Sequence, residues 1–451
     1  MAKRLIVIGG VAAGTSAASR ARRVDPSLEI VLFEKGEYIS YGACDEPYLM
    51  GGVIDKPERL LVRSPEEFRK KQNIDICLRH EVVRIIPEEK TVLVKNLNTA
   101  QTERFSYDAL IIATGAKPRP LDVPGADARN FFQLKFYEQA LSLYRFLNER
   151  NPKRAVSYGA GFIALEMAEA FHLRGIENTI INRSNRVGGR LEPEIEKEVK
   201  AILEEKGVRC QPETTIKEFV KDSSGMITRV VTDRGDFETD MVLCSIGVVP
   251  EVELAKSAGV KLGRTGAIAV NERMETSIPG IYAAGDCCET YNRVSGEPTY
   301  TPLGDIANKQ GWVAGENAAG GNIIYPGALG SWSFKCFEME VGATGLLASD
   351  AKRLGYDVFT NVIEHRSRTH AQPGSKKIIV KLVADKKTHK LLGAQLAGRE
   401  GAALRINSVA VALYNQMTVD ELANVDFAYA PPFSPVIDPI LIAARDAVKS
   451  I

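Results

Sequence analysis

A single cysteine, Cys44, lies in the segment SYGACDEPYLMGG, which spans Ser40 to Gly52 and shortly follows a glycine-rich turn. A cysteine reacts as a nucleophile or redox group through its thiolate, and a free thiol has a pKa of about 8.5. If Cys44 begins a helix, the positive end of the helix dipole would stabilise that thiolate. Asp45 and Glu46 would oppose it, although acids at a helix start are also ordinary caps. The segment predicts a redox-active sulfur that needs a partner from outside it.

The glycine turn before this cysteine has the pattern of a nucleotide site. Gly9, Gly10 and Gly14 lie where the apolar run RLIVI passes into a helical segment. In such a turn the backbone N–H groups and the helix dipole point at a pyrophosphate, and small residues allow close approach. Glu34 ends the next predicted strand, where a carboxylate can bind a ribose hydroxyl. Val11 replaces one glycine of the usual pattern, so the prediction depends on the strand, the helix and Glu34.

A second turn of this kind, GAGFIA, contains Gly159 and Gly161. Asn182 stands at the end of its second strand, where an NAD site usually has an acid. Arg183 and Arg186 follow, and either could bind a 2′-phosphate. The sequence therefore favours NADPH slightly over NADH, or the use of both. An ordinary solvated face is the alternative for these arginines.

Two strand–helix–strand units and a β-rich C-terminal part organise the chain. RLIVI, a helix over 12–24 and EIVLFE form the first unit, and RAVSY to TIINR forms the second. The predicted fold class is α/β, with two Rossmann-like dinucleotide-binding domains followed by a C-terminal α+β domain. The predicted boundaries are 1–118 and 248–324 for the two parts of the first domain, 119–247 for the second, and 325–451 for the third.

Composition limits the classes of partner and compartment. The chain has 451 residues, 45% of them hydrophobic, which is enough for several full cores. Lys plus Arg number 58 and Asp plus Glu 57, so no net field favours nucleic acid or a membrane surface. No apolar run reaches the length of a membrane span. Seven cysteines without regular spacing favour a reducing compartment, and we expect a cytoplasmic protein.

The order of the motifs GGVAAG, ATG, GAGFIALE, SIG and TSIPGIYAAGD resembles the pyridine nucleotide–disulfide oxidoreductase superfamily over almost the whole chain. The resemblance implies FAD on the first domain, with Asp286 bonding its ribityl chain, and NAD(P)H on the second domain. It also implies that the third domain mediates dimerisation. The predicted cofactor-binding residues are Gly9, Gly10, Gly14, Glu34, Lys35, Ala113, Thr114, Gly115, Gly159, Gly161, Glu166, Asn182, Arg183, Gly247, Gly285 and Asp286.

The cysteine segment resembles a branch of that superfamily with one redox cysteine. Disulfide reductases have a Cys-x4-Cys pair, whereas Leu49 occupies the second position here. The segment is similar to Ser-[Phe/Tyr]-x-x-Cys-x-x-Pro-Tyr of coenzyme A disulfide reductases, NAD(P)H persulfide or polysulfide reductases, and NADH oxidases. The tail AYAPPFSPVIDP is similar too, and implies a homodimer in which Tyr429 reaches the flavin and sulfur of the other subunit. The implied activity is NAD(P)H-dependent, FAD-dependent reduction of a small-molecule disulfide through Cys44, with coenzyme A disulfide first and a persulfide or polysulfide second.

Coenzyme A is the part of this hypothesis with most departures from the family. The residues that align with its contacts are Ser16, Arg20, Arg23 and Ser40. An ordinary exposed helix face is the alternative for the two arginines. Ala43, Gln372 and Ile437 depart from the family's pattern, and Asp45-Glu46 replaces its commoner Gly-Leu or Ala-Leu. These departures count against tight coenzyme A specificity.

Two other functions stay open. Oxidases of this branch typically carry a histidine in the first glycine turn, where this chain has Ala12, so a sulfur substrate is favoured over oxygen. The chain could also be an electron-entry subunit in which Cys44 is dispensable. Cys287 and Cys288 are adjacent and would close only a strained ring, so we expect core packing for both. Five histidines show no metal-ligand spacing, and no metal site is predicted.

Overall fold

A computed structural model describes residues 3–451 as twelve α-helices and 25 strands. The helices are α1 (Ala12–Val24), α2 (Glu46–Met50), α3 (Pro65–Gln72), α4 (Tyr137–Arg150), α5 (Phe162–Leu173), α6 (Pro193–Glu205), α7 (Glu253–Ser257), α8 (Gly304–Ala318), α9 (Ala348–Arg353), α10 (Ala402–Tyr414), α11 (Val419–Leu422) and α12 (Pro439–Ser450). The strands are β1 (Arg4–Ile8), β2 (Glu29–Glu34), β3 (Asp75–Leu78), β4 (His80–Ile86), β5 (Thr91–Asn96), β6 (Thr102–Ser106), β7 (Ala109–Ile112), β8 (Ala116–Pro118), β9 (Phe131–Phe132), β10 (Arg154–Tyr158), β11 (Glu177–Ile181), β12 (Arg209–Gln211), β13 (Ile216–Lys221), β14 (Ile227–Thr232), β15 (Gly235–Glu238), β16 (Met241–Cys244), β17 (Val248–Pro250), β18 (Ile281–Ala283), β19 (Thr290–Tyr291), β20 (Pro298–Thr299), β21 (Trp332–Cys336), β22 (Met339–Gly345), β23 (Val358–Arg366), β24 (Lys377–Asp385) and β25 (Leu391–Gly398).

The first nucleotide-binding unit is a parallel sheet in the order β18-β7-β1-β2-β3. Its central strand is buried on both faces, because Leu5, Ile6 and Val7 are fully enclosed. Helix α1 packs against α8, where Gly311 and Gly315 leave room for the α1 backbone. The order of strands reverses beside β1, and the glycine turn after β1 lies at that reversal, where sheets of this kind bind ligands.

The second unit repeats the design with the parallel order β12-β11-β10-β16-β9. Strand β10, helix α5 and strand β11 form its strand–helix–strand core. The short antiparallel pair β8–β17 lies where the chain leaves the first unit and returns to it. The predicted boundaries after residues 118 and 247 fall at these two strands.

The C-terminal part is an antiparallel sheet in the order β21-β22-β25-β24-β23, with α10 and α12 packed on it. Lys381 on β24 is buried and ion-paired with Glu192 at 3.0 Å and Glu194 at 2.7 Å, which fastens this sheet to the second unit. The architecture confirms the predicted α/β class with two dinucleotide-binding units and a C-terminal α+β part. Between residues 3 and 451, no helix is both long and apolar enough to cross a membrane.

Candidate active site

One cavity of about 1460 Å³ runs between the two glycine turns and past Cys44. Its volume exceeds the 300–1,000 Å³ that is usual for a small-molecule pocket, as two dinucleotides would require. Most of the predicted site residues line it. They are Gly9, Gly10, Glu34, Lys35, Cys44, Ala113, Thr114, Gly115, Gly159, Gly161, Glu166, Asn182, Arg183, Gly247, Gly285 and Asp286.

The first turn is shaped for an anion at the start of α1. Gly9 has a φ of +105°, and a side chain there would overlap the carbonyl of Ala113. Helix α1 has no side-chain cap, so its first N–H groups are free to bind a phosphate. Gly14 lies outside the cavity wall and instead lets α1 pack on the Gly9 carbonyl. The residues therefore fit a pyrophosphate, with Gly14 serving the turn rather than the ligand.

Glu34 lies beside that turn at the end of β2. Its two carboxylate oxygens accept hydrogen bonds from the N–H groups of Gly10 and Gly36, each at 2.7 Å. Burial raises the pKa of this carboxyl in spite of those two bonds. Because Glu34 also lines the cavity, it is in a position to accept hydrogen bonds from ribose hydroxyls.

Asp286 follows β18 of the first unit, and the Nζ of Lys135 lies 2.8 Å from its carboxylate. The hydroxyl of Tyr300 donates to the backbone carbonyl of Asp286 at 3.0 Å. Lys135 also lines the cavity, and no sequence motif marks it. It precedes α4 in a segment that only the fold brings beside Asp286, which is why sequence reasoning missed it.

The second turn has nearly the same geometry. Gly159 has a φ of +104°, and a side chain there would come within 2.5 Å of the carbonyl oxygen of Ser245. Gly161 precedes α5, which has no side-chain cap, and the space around its missing side chain is open. This open space beside free N–H groups fits the pyrophosphate of a second dinucleotide.

The two arginines after β11 have different surroundings. Asn182 donates to the hydroxyl of Ser184 at 2.9 Å and to the carbonyl of Arg186 at 2.7 Å, which folds the loop. Arg186 is bound to the buried carboxylate of Glu196 and to the carbonyl of Leu191. Both arginines line the cavity, but Arg183 is exposed and has no ion pair among the described residues. Of the two, only Arg183 is free to meet a phosphate.

Cys44 lies in a single 3-10 turn, Ala43–Asp45, and α2 begins after it at Glu46. The expectation that Cys44 opens a helix is therefore wrong, because Cys44 lies in the 3-10 turn that precedes α2. The Cys44 thiol is exposed to the cavity, but its pKa depends on the protein groups that surround it. Burial raises its pKa, the carboxylates of Glu166, Asp45 and Glu46 raise it further, and Lys135 opposes them. The pKa of Cys44 is therefore raised, whereas a helix dipole was expected to lower it.

Two carboxyl groups near Cys44, those of Glu46 and Glu166, have raised pKa values. Burial raises the pKa of Glu46 to about 8, with a further contribution from Glu138. Burial and the neighbouring Glu169 raise the pKa of Glu166 to about 7. The surroundings of the thiol therefore contain proton donors with pKa values near neutrality, as acid–base catalysis requires.

The predicted coenzyme A contacts lie outside the cavity. Ser16 donates to Asn308 at 2.5 Å. Arg20 is ion-paired with Glu316, and its guanidinium lies 4.6 Å from the ring centroid of Trp312. Arg23 is exposed on α1, and Ser40 has a φ of 49° in the loop before Cys44. Tyr429 is 45% exposed and also lies outside the cavity of its own chain.

Two adjacent cysteines, Cys287 and Cys288, pack in the core, as expected. Cys287 and Cys288 are buried, with hydrogen bonds from Cys287 to the carbonyl of Ile112 at 3.4 Å and from Cys288 to that of Gly285 at 3.4 Å. All seven thiols are free. In the part of the chain that the structure describes, no group of three or more His, Cys, Asp or Glu could hold a metal ion.

Comparison with known proteins places this geometry in context. The profile of the family described as pyridine nucleotide-disulphide oxidoreductase matches residues 3–306, and that of its dimerisation domain matches 332–439. The chain is 39% identical to the CoA-dependent NAD(P)H sulfur oxidoreductase of Pyrococcus furiosus over 445 residues, which is 98% of both chains. It is 32% identical to the coenzyme A disulfide reductase of Staphylococcus haemolyticus over 435 residues, which is 96% of both.

Two solved structures are similar over nearly the whole chain. An NAD-dependent persulfide reductase from A. fulgidus superposes with a TM-score of 0.95 at 38% identity, covering 99% of this chain and 83% of that one. An engineered water-forming NADPH oxidase, made from the Lactobacillus brevis NADH oxidase and bound to NADPH, superposes with a TM-score of 0.94 at 29% identity. That match covers 99% of this chain and 98% of that one.

Proposed function

The chain belongs to the pyridine nucleotide-disulphide oxidoreductase family, and from this premise we propose that it uses NAD(P)H to reduce a small-molecule disulfide or persulfide through Cys44. It is a flavoprotein oxidoreductase that acts on sulfur, and the two relatives compared above are named for sulfur substrates. The observation that carries the proposal is that Cys44 and both glycine turns line one continuous cavity. A thiol at that point can exchange electrons with a cofactor bound at the first turn.

The two turns divide the cofactors between them. Gly9, Glu34 and Asp286 would hold FAD, and Gly159, Gly161 and Arg183 would hold NAD(P)H. FAD supplies a two-electron carrier between the nicotinamide and the sulfur. The protein contributes fixed N–H groups for the phosphates, a carboxylate for the ribose, and the position of the thiol between the two sites.

Cys44 performs the sulfur chemistry. Its thiolate attacks one sulfur of the substrate, the substrate S–S bond breaks, and one thiol leaves while Cys44 is held as a mixed disulfide. Two electrons from NAD(P)H then release the second thiol and restore the thiolate. The raised pKa of the thiol means that a neutral Cys44 predominates at pH 7, so turnover rises with pH as the thiolate forms.

The electrostatics of the β11 loop favour NADPH over NADH. In the engineered NADPH oxidase, three consecutive residues, Asp, Ala and Met, were changed to Ala, Arg and Ser, and a Gly eighteen residues before the first of them was changed to Ala. This chain has Asn182, Arg183 and Ser184 in sequence, with Ala164 eighteen residues before Asn182. The absence of an acid at Asn182 and the free charge of Arg183 both suit a 2′-phosphate.

Coenzyme A disulfide is the first candidate substrate, and a persulfide or polysulfide is the second. Relatives named for each are similar over nearly the full chain. The charge of Arg20 is already neutralised by Glu316, whereas Arg23 is exposed. A phosphate of coenzyme A would therefore meet Arg23 more readily than Arg20, which favours loose rather than tight recognition of that substrate.

The active form is a homodimer, as the dimerisation domain indicates. Tyr429 is half-exposed and does not line the cavity of its own chain, so its phenol is available to a second subunit. We assign the partner subunit's Tyr429 to the sulfur end of the site. A phenol there can donate a hydrogen bond to a thiolate.

The proposal is tested by replacing Cys44 with serine and assaying anaerobic NADPH oxidation with coenzyme A disulfide and with polysulfide. We expect at least about a thousandfold loss with both, because a nucleophile has been removed. Cys77→Ser, at a half-buried thiol on β3, is the matched control and should retain wild-type turnover. Surviving turnover in Cys44→Ser would support an electron-entry subunit. In wild type, NADPH consumption under air without added disulfide, together with little anaerobic turnover, would support an oxidase; either result contradicts the proposal.

A further inference from the structure

Glu46 is a carboxyl group in an unusual place. It is 2% exposed, yet it forms part of the cavity wall beside Cys44. Its Oε1 is buried and has no hydrogen-bond partner in the described structure. An unpaired buried polar atom is costly, so a carboxyl that meets only structural needs would be expected to find a partner.

The surroundings keep this carboxyl in its protonated form. Among residues 3–451, Lys135 is the cation that faces Glu46, and its ammonium is already paired with Asp286 at 2.8 Å. The other ionisable groups that face Glu46 are Glu138, Tyr41, Tyr137 and Cys44. Burial and the carboxylate of Glu138 raise the pKa of Glu46 to about 8 against the opposing charge of Lys135, so the group carries a proton at neutral pH.

Helix capping does not explain Glu46. A carboxyl at the start of a helix stabilises it through negative charge, which a protonated group lacks. Asp45, the preceding residue, is exposed and does not line the cavity. The chain therefore has one exposed acid suited to the helix end and one buried acid, with a free oxygen, in the wall of the reaction cavity.

We propose that Glu46 is the proton donor to the thiolate that leaves when Cys44 opens its disulfide substrate. This rests on the proposed function of Cys44. The bond between Cys44 Sγ and one substrate sulfur forms as the substrate S–S bond breaks, and the departing sulfur keeps the bonding electron pair. The proton moves from the Glu46 carboxyl to that sulfur, giving a neutral thiol, and the carboxylate regains a proton from water. No electron carrier takes part in this step.

The test compares two uncharged disulfides that differ in their need for a proton. Bis(2-hydroxyethyl) disulfide releases an alkyl thiolate, which is a poor leaving group until it is protonated. 4,4′-Dithiodipyridine releases a stabilised anion that needs no acid. The holoenzyme is reduced, desalted without oxygen and mixed with each probe, and the mass increment on the Cys44 peptide is followed by rapid quench.

For Glu46→Gln we expect the alkyl probe to react at least about a hundredfold more slowly, the low end of general-acid effects. The aromatic probe should react within about threefold of wild type, because it needs no general acid. Asp45→Asn, the neighbouring exposed carboxyl, is the matched control and should leave the ratio of the two rates unchanged. In wild type that ratio should fall as the pH rises through about 8, and it should be flat in Glu46→Gln.

Each other outcome contradicts the inference. Equal slowing of both probes would mean that Glu46 only supports the fold of the site, and an unchanged alkyl rate would mean that it donates nothing. The same leaving-group effect in Glu166→Gln, with none in Glu46→Gln, would assign the proton to Glu166. Glu46→Leu gives a second readout if glutamine packs badly, because the aromatic rate reports whether the site is intact. Failure of both probes to modify wild-type Cys44 would overturn the proposed function itself.

Discussion

Arg183 and Arg186 lie three residues apart, but we expect only Arg183 to bind the nucleotide, because their neighbours differ. Both line the cavity, but Arg186 is ion-paired with Glu196, whereas Arg183 has no ion pair among the described residues. A charge-assisted hydrogen bond contributes about 1.5–3 kcal/mol, which is roughly tenfold to a hundredfold in binding. We expect Arg183→Ala to raise KM for NADPH by at least about tenfold and to leave KM for NADH unchanged, measured by steady-state kinetics.

Arg186→Ala is the control for that measurement. It should lower the melting temperature, because it leaves the buried carboxylate of Glu196 with one partner fewer, without changing the ratio of the two KM values. Equal losses with NADPH and NADH in Arg183→Ala would contradict a role in selecting the 2′-phosphate.

Glu46 also makes stability depend on pH. Its pKa in the folded protein, about 8, exceeds the ordinary value of 4.5. A group of this kind stabilises the fold below pH 4.5, and that stability is lost as the pH rises to about 8, since the unfolded chain releases the proton first. At about 1.4 kcal/mol for each pKa unit, the loss is at most about 5 kcal/mol. We expect the melting temperature of Glu46→Gln, relative to wild type, to increase between pH 5 and pH 8 and then level off.

Scanning calorimetry across that pH range measures the difference, and Asp45→Asn shows the effect of removing an exposed neighbouring carboxyl. A constant difference between Glu46→Gln and wild type at every pH would show that the carboxyl is ionised in the folded protein. An ionised Glu46 would also have no proton to give to the leaving thiolate.

Residue types and spacing pointed to Cys44 and Glu34, and the family resemblance pointed to Asp286. They could not point to Lys135, which no motif marks and which reaches Asp286 only through the fold. Nor could they show that Glu46 is buried while Asp45 is exposed. That difference depends on how one 3-10 turn meets α2 and on which segments pack above it.

At the scale of elements, the glycines of the two turns make separable contributions. Gly161 has a φ of −82° and nothing within 4 Å of its missing side chain, so alanine fits the protein and would meet only a bound nucleotide. We expect Gly161→Ala to keep its flavin and its melting temperature while binding NADPH about tenfold more weakly, a cost of about 1.4 kcal/mol. Flavin absorbance per chain, calorimetry and KM check the three parts.

Gly9→Ala is the contrasting variant. Its φ of +105° and its overlap with the Ala113 carbonyl forbid a side chain in the folded turn. It should purify without flavin. Retained flavin in Gly9→Ala, or lost flavin in Gly161→Ala, would contradict the division of cofactors between the turns.

Element bounds were predictable where local signals agreed. The helix predicted over 12–24 is α1, because a glycine turn begins it and the sequence Asp-Pro-Ser ends it. The partner of α1 was not predictable, because α8 lies far along the chain. The glycines of α8 let α1 approach, and its Asn308 and Glu316 are the partners of Ser16 and Arg20. The sequence could place Arg20 on an outer helix face, but it could not predict that Glu316 neutralises the charge of Arg20.

At the scale of the whole molecule, the C-terminal part presents apolar side chains that its own chain leaves uncovered. Leu404 is 79% exposed and Phe433 77% exposed, and Tyr429 lies on the same segment as Phe433. Exposed apolar groups of this size are typical of subunit interfaces. We expect Leu404→Glu combined with Phe433→Asp to give monomers in light scattering and to reduce turnover at least about tenfold. Leu173→Glu, at a 55% exposed leucine on α5, should stay dimeric and active.

Whether the two subunits share each site can be decided by mixing two impaired variants. If the partner subunit's Tyr429 completes the site, a heterodimer of Cys44→Ser and Tyr429→Phe chains contains one site with both Cys44 and Tyr429, and one site with neither. Such a heterodimer, purified with two different tags, should recover about half of wild-type turnover, since one of its two symmetric sites is whole. Pairing a wild-type chain with one that carries both substitutions gives the opposite arrangement, because each site then lacks one of the two groups, and turnover should stay as low as in the single variants. The reverse result, with activity in the second heterodimer and none in the first, would show that Tyr429 serves the site of its own chain.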